Sequence, residues 1–470
     1  MPVPAAAAFL DLGHLRSGLE AGTFTSVELT EFFLDRCESL GPELNAVVTL
    51  LREPALKRAG ELDDERRRGN VRGPLHGIPF GAKDLLAWPG TPTTWGASPY
   101  RDRVIDVEST VVRKLMDAGG VLVAKLSMVE IAGGLGYRTA NAAFNGPGRN
   151  PWNRERWSGG SSSGSGSAVG AGLVPFAIGS ETWGSITTPA GLCGVTGLRP
   201  TYGLVSRHGA MTLSWTMDKI GPLARTAVDA RTVLEVIQGR DENDLSTVVA
   251  NRPDQYDQPI QPPFQLATLK GAKDRVQPEV AANFDASLEV LRQFAAIEEI
   301  ELPDLPYNEV ADLIVACEVA SAHEELVTSG KIAEMSALED RWRIYPDLMI
   351  PAIDYLRAMR IRTVIQRELD RLFKRYAAIV TPTLSTVAGP IDVPFSEWAK
   401  GFESTQISAA SNLAGAPAVT APNGFGADHL PTGLQFVGRV FEERRLIAVA
   451  NEYQKRTEWH QATPPEFTPR

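Results

Sequence analysis

Between Ser158 and Gly172 the chain reads SGGSSSGSGSAVGAG, and fourteen of these fifteen residues are Gly, Ser or Ala. Such text carries almost no side-chain volume, which leaves it two fates. It is a flexible linker between independent units, or it is an element packed so closely that nothing larger fits. No domain-like composition shift flanks the stretch, and apolar LVPFAIG (173–179) follows directly. That neighbour favours a buried helix beside a site, with the linker as the alternative.

The surrounding text has α/β grammar. Thr25-Ser26-Val27-Glu28 fits a capping box, and Val27, Thr30, Phe33, Cys37 and Leu40 follow at helical spacing, with Gly41-Pro42 as the expected stop. PLHGIPFGAKDLL (74–86) has no helical period. Its Phe80-Gly81-Ala82-Lys83 core is short, apolar and then charged, which suits a buried strand or loop delivering Lys83 inward. A helix is expected over 108–119 and a β-branched strand over Val121–Ala124. Polar, Pro-rich text in 240–310 predicts a surface excursion, and 310–377 a mainly helical region. Further strands are expected at 378–382, 418–421 and 433–438, and a last helix near 442–456.

Composition excludes several classes. With 470 residues, 43% hydrophobic and 22% charged, the chain is not mainly disordered. A net charge of −10 speaks against a broad nucleic-acid surface. The three cysteines (Cys37, Cys193, Cys317) show neither a disulfide framework nor metal spacing and are expected to be buried small hydrophobes. No stretch has the length of a membrane span, and MPVPAAAAFL lacks a basic n-region, so a cytoplasmic protein is expected. The six histidines form no i, i+4 pair, and a solvated helix face accounts for His323 and the two glutamates after it. A Ser-His-Asp triad assembles in space and leaves no local spacing, so it stays open. Gly160-Ser161-Ser162-Ser163-Gly164 matches G-x-S-x-G, but NPWNRERWSG before it is poor strand text for a nucleophile elbow.

What remains is a lysine in buried-looking text and a dense serine region. A lysine with its ordinary pKa of about 10.4 is a poor base. Burial disfavours the ammonium and can leave a neutral amine, which accepts a proton from a serine hydroxyl and activates it. Acyl transfer also needs backbone N–H groups aimed at the developing oxyanion. Gly184-Ser185, soon after the apolar run, suits such a turn.

At these residues the chain resembles the amidase signature family. Gly77–Asp84 (GIPFGAKD) is similar to the family's lysine segment. Ser158–Ser162 (SGGSS) followed by Gly179–Ile186 (GSETWGSI) is similar to its signature, with Ser161 and Ser185 twenty-four residues apart. GLCGVTGLRPT (191–201), GPLART (221–226), NLAGAP (412–417) and LPTGLQFVG (430–438) continue the resemblance, and 240–370 matches least. The resemblance implies an α/β fold: one large α/β/α domain, 1–470, around a mixed twisted sheet, with 240–370 as a variable, mainly helical substrate-side region. It implies Ser185 as nucleophile, Ser161 as bridging serine after a cis peptide from Gly160, and Lys83 as the base acting through Ser161. The N–H groups of Thr182, Trp183, Gly184 and Ser185 would form the oxyanion hole, and Ser162 would support the network. No cofactor or metal is implied.

The departures are informative. Glu181 stands where the family commonly has Asp, Trp183 where it commonly has Gly, Thr187 where it often has Arg, and Ser163-Gly164 replaces a glycine pair. Trp183 either walls the acyl or leaving-group pocket or packs into the protein, and Met128 is a second pocket candidate. The expected activity is hydrolysis of a C–N acyl bond in an amide, aryl amide or carbamate (urethane), with esterase side activity. The expected partners are such small molecules, with neither nucleic acid nor membrane, and a homodimer stays open. Two alternatives stand beside it. One is the amide-cleaving component of a tRNA-dependent amidotransferase, its A chain, which needs partner subunits. The other is a non-catalytic binding relative.

Overall fold

Alternating helix and apolar strand supplies the crossovers that parallel strands require. The computed structural model describes residues 3–249 and 260–468. Its strands are β1 (Val47–Leu50), β2 (Pro79–Lys83), β3 (Val121–Leu126), β4 (Arg149–Asn150), β5 (Asn153–Trp157), β6 (Phe176–Glu181) and β7 (Thr196–Arg199), then β8 (Lys219–Ala224), β9 (Phe264–Leu269), β10 (Ala295–Ile300), β11 (Ala378–Pro382), β12 (Ala418–Phe425) and β13 (Pro431–Val437). Eleven of them form one mixed sheet in the order β1-β3-β2-β6-β8-β7-β12-β13-β11-β9-β10, and β4–β5 is a separate pair. The fold is α/β, as the sequence predicts. β2 runs parallel to β3 and β6, while β8 lies antiparallel to β6.

The sheet is covered on both faces, and strand alternation shows it. Along β6, Phe176 and Ile178 enter one apolar core and Ala177 the other. Along β3, Leu122 joins the first, Val121 and Val123 the second. A strand buried on both faces reads as continuous apolar text rather than as alternation.

Near the site the helices are α1 (Leu12–Glu20), α2 (Ser26–Leu44), α3 (Arg52–Arg67), α4 (Thr110–Asp117), α5 (Ser163–Gly170) and α6 (Thr187–Cys193). The capping box at Thr25 and Glu28 forms as expected. The helix does not stop at Gly41-Pro42: it runs to Leu44 and ends where Asn45 turns left-handed at φ 49°. Pro42 removes one N–H in a final turn, so the helix absorbs it. Three other expectations are corrected. Residues 264–300 are not a surface excursion but β9, a helix (Pro278–Arg292) and β10, which extend the sheet edge; part of the Pro-rich text, 250–259, lies outside the described residues. NRERW forms β5 because it pairs locally with β4, away from the main sheet. Cys37 and Cys193 are buried, whereas Cys317 is half-buried. No helix among the described residues is long and apolar enough to cross a membrane.

The small-residue tract is α5, buried along its whole length. A β-carbon on Gly164 would stand 2.5 Å from the Ala46 carbonyl and from Ser127 N; on Gly166 it would meet Pro189 Cβ at 2.8 Å. The composition is therefore the condition for backbone-to-backbone packing against α6 and the β1–β3 region. Gly60, in α3, has no neighbour nearer than 3.9 Å to such a carbon. Gly164→Ala is expected to destabilise by about 1–3 kcal/mol through overpacking, while Gly60→Ala stabilises by up to about 1 kcal/mol through helix propensity. Denaturant midpoints of the two variants check this contrast.

Candidate functional site

Lys83 is the last residue of β2. The parallel register pairs Gly81 with Ala177 and Ala82 with Ile178, so Lys83 emerges beside Ser180 at the carboxyl ends of both strands. Phe80 stacks on Phe176 (centroids 5.4 Å, 11°), and a β-carbon on Gly81 would meet Leu126 at 2.5 Å. These contacts lock the strand that carries the lysine. Its Nζ lies 2.7 Å from Ser161 Oγ, 2.9 Å from Ser180 Oγ and 3.5 Å from the Ser180 carbonyl. Lys83 is fully buried. Burial lowers its pKa to about 7, against the pull of Asp218 and Glu181, which raise it.

Ser161 and Ser162 link β5 to α5. The Gly160–Ser161 peptide bond is cis. The Ser161 carbonyl accepts from Val129 N at 3.1 Å, and Ser162 N donates to the Ser185 carbonyl at 3.3 Å, which ties this turn to the next one. The Ser162 hydroxyl donates to the Ser180 carbonyl at 3.2 Å and accepts from Ser180 N at 3.2 Å. Its two backbone partners occupy it as a brace, and it is fully buried.

The turn Thr182–Ser185 joins β6 to α6. Gly184 sits at φ 91°, a conformation that glycine adopts freely. Among the described residues no protein acceptor takes the N–H of Thr182, Trp183, Gly184 or Ser185, whereas the N–H groups of Ile186 and Thr187 both donate to Glu181 Oε2, at 2.9 and 3.0 Å. Four consecutive amides are thus left for an anion beside Ser185, which is half-buried where its neighbours Gly184 and Ile186 are buried.

A buried ionic network holds this turn. Glu181 Oε1 accepts from Arg199 at 2.7 Å and from Asn412 at 3.3 Å. Burial alone would raise its carboxyl; Arg199, Lys219 and the backbone donors overcome that and hold it at about 2. Thr182 Oγ1 donates to Asp218 at 2.5 Å, and Lys219 Nζ donates to the Thr182 carbonyl at 3.2 Å and to Asn412 at 2.8 Å. Burial, with Arg199 next, pushes the Lys219 pKa far down, while burial raises Asp218. On the other side of Lys83, Asp84 pairs with Lys125 at 2.8 Å, both fully buried.

Of the sequence candidates, Lys83, Ser161, Ser162, Gly160 and the 182–185 turn come together. Trp183 is half-buried and packs against the main core. Met128 is fully buried in that core. His323 is not on a solvated face: it is 4% exposed, lies 3.0 Å from the Thr212 carbonyl through Nε2, and burial lowers its pKa to about 4. The structure adds Arg199, Asp218, Lys219 and Asn412, which the sequence reading does not name, to the site. Arg199 and Asn412 lie inside two of the resembling segments and Lys219 just before a third, which is the only signal the sequence holds for them. A cavity of about 1160 Å³ between α1 and the C-terminal helix, lined by His14, Asp229, Tyr453 and Trp459, shares no residue with this site.

A buried amine on a serine hydroxyl, beside a turn of unclaimed amides, is equipment for acyl transfer without histidine or metal ligands. A family model described as Amidase matches residues 28–447, and the chain belongs to the amidase signature family. At family level the chemistry is amidase-type cleavage of a C–N bond. The chain is 35% identical to the A subunit of glutamyl-tRNA(Gln) amidotransferase from Chloroflexus aggregans, over 97% of this chain and 98% of that one. Its fold is similar to that of the peptide amidase from Stenotrophomonas maltophilia (TM-score 0.82, 30% identity, covering 97% and 98%). It is also similar to a chain solved in a vestigial protein complex that bears on the origins of an s-triazine catabolic enzyme (TM-score 0.86, 29% identity, covering 95% and 98%).

A base is useful only when unprotonated, so if Lys83 is the base, raising the pH through its value increases the competent fraction. The rate at which a fluorophosphonate phosphonylates Ser185, with loss of fluoride, is expected to rise with an apparent pKa of about 7. A flat profile from about pH 5 to 9, a span that brackets the Lys83 value, would remove Lys83 from that step.

Proposed function

We propose that the protein hydrolyses amide-type C–N acyl bonds through an acyl-enzyme on Ser185, with Lys83 as base and Ser161 as relay. The observation that carries this reading is the fully buried Lys83 amine, 2.7 Å from Ser161 Oγ and with its pKa lowered to about 7. Ser185 Oγ attacks the carbonyl while its proton passes through Ser161 to neutral Lys83. Charge develops on the carbonyl oxygen, where the amides of Thr182, Trp183, Gly184 and Ser185 receive it. The proton then returns through Ser161 to the leaving nitrogen. Water deacylates Ser185 by the same relay. The same attack cleaves carbamates, aryl amides and esters.

A second reading has its own support. The curated relatives include several amidotransferase A subunits at 34–36% identity over nearly the whole chain. Seven large apolar side chains between Leu338 and Leu356 are also exposed, among them Trp342 (70%) and Met349 (80%). An apolar run of that kind suits a partner surface. In that reading the same acyl chemistry releases ammonia inside a complex, and the isolated chain is nearly inactive toward simple amides.

Purified chain given a panel of primary amides, anilides, esters and carbamates separates the two. Hydrolysis without partners is expected, and Ser185→Ala is expected to abolish both turnover and fluorophosphonate labelling with an unchanged unfolding midpoint. Lys83→Ala is expected to cut kcat by about 10²–10⁴. Activity that appears only with added subunits would favour the second reading.

A further inference from the structure

We infer that an aromatic wall behind Gly160, built from Tyr137, Trp157 and Phe395, is the leaving-group subsite, and that it selects N-aryl amides and N-aryl carbamates whose ring bears a hydrogen-bond acceptor. The inference rests on the reading above in one respect: the leaving nitrogen takes its proton through Ser161. That nitrogen must therefore lie over Ser161, and its substituent reaches whatever stands behind the residue before it.

Three side chains stand there. A β-carbon on Gly160 would lie 2.7 Å from Val129 Cγ2, 2.9 Å from Trp157 Cζ2 and 3.2 Å from the Tyr137 hydroxyl. Phe395 completes the wall, stacked on Trp157 (4.4 Å, 28°) and edge-on to Tyr137 (5.5 Å, 86°). All three rings are half-buried, so the cluster keeps an open side. It is also braced. Phe395 N donates to the Arg138 carbonyl at 3.0 Å, and Arg138 N donates to Glu339 at 2.7 Å.

The wall carries two donors that the protein does not use. Trp157 Nε1 is buried with no partner. The Tyr137 hydroxyl makes no hydrogen bond among the described residues, whereas those of Tyr307, Tyr355 and Tyr376 each donate at 2.7 Å. Tyr and Trp donors in such places normally find an acceptor. Burial, reinforced by Asp340, raises the Tyr137 phenol pKa, so the group stays a donor. A flat ring with an acceptor substituent matches what these residues offer: aromatic faces and edges, plus the Tyr137 hydroxyl as donor.

The test uses 4-nitroacetanilide and 4-methylacetanilide, which differ in the acceptor and also in the basicity of the leaving aniline, so each variant is read against the unmutated enzyme on the same substrate. Tyr137→Phe keeps the ring and removes the hydroxyl. It is expected to raise KM for the nitro compound about three- to tenfold, the weight of one net hydrogen bond, with kcat little changed and the methyl compound unaffected. Equal changes for both substrates would mean a structural role and would overturn the inference, as would no change for either. Binding is read separately by calorimetry in the Ser185→Ala protein, with and without Tyr137→Phe. Tyr137-dependent binding of the nitro compound without turnover by the unmutated enzyme supports the subsite and refutes the proposed reaction; no difference in binding refutes the subsite itself.

Discussion

The lysine at the end of β2 has been taken out of water, and the rest of the site is arranged around that. Desolvation is the largest influence on Lys83, ahead of the pull of Asp218 and Glu181 toward the charged form. The balance leaves the amine near its titration point at neutral pH, where it can both take and return a proton. The dry surroundings come from packing. Phe80 and Phe176 stack behind the strand, Leu126 fills the space over Gly81, and α5 brings Ser161 close by lying backbone to backbone on its neighbours.

The proposed mechanism also requires a turn that leaves its amides free and yet does not move. Those two demands conflict, because free N–H groups do not hold a loop in place. The structure resolves the conflict by anchoring other atoms. Glu181 takes the amides just beyond the turn, Arg199 neutralises Glu181, Asp218 holds the Thr182 hydroxyl and Lys219 its carbonyl. Buried charges are costly unless paired and hydrogen-bonded. Here they are tied to one another across β6, β7, β8 and the helix Ile407–Ala414, so the turn is fixed by four separate elements. The glutamate at 181 fills the place a shorter aspartate would take, and Thr187 adds a hydroxyl to the same carboxylate at 3.2 Å.

Local features were legible in the sequence. A short apolar run ending in lysine reads as a strand that delivers a charge inward, because no other side chain in it is polar. The small-residue tract reads as close packing once its apolar neighbour is weighed. The ion network was not legible, since its members meet across as many as 231 residues of chain. Arg199 and Asn412 look like ordinary polar residues until the sheet order brings β7 beside β8 and β12. Elsewhere, too, long-range context overrides local text. Pro42 sits in a final turn where a lost N–H matters little; the 264–300 strands are hidden behind proline-rich text; His323 is buried by residues from another segment. The aromatic wall leaves no local signal, because Tyr137, Trp157 and Phe395 are brought together only by the fold.

The central claim is that the Lys83 side chain is a neutral amine at working pH. Lysine labelled with ¹³C at Cε reports protonation directly, with the Lys83 resonance assigned by its absence in Lys83→Met. A titration midpoint of about 7, well apart from the exposed lysines, is the predicted result. A resonance that stays in the ammonium position up to about pH 10, where an ordinary lysine titrates, would contradict the account.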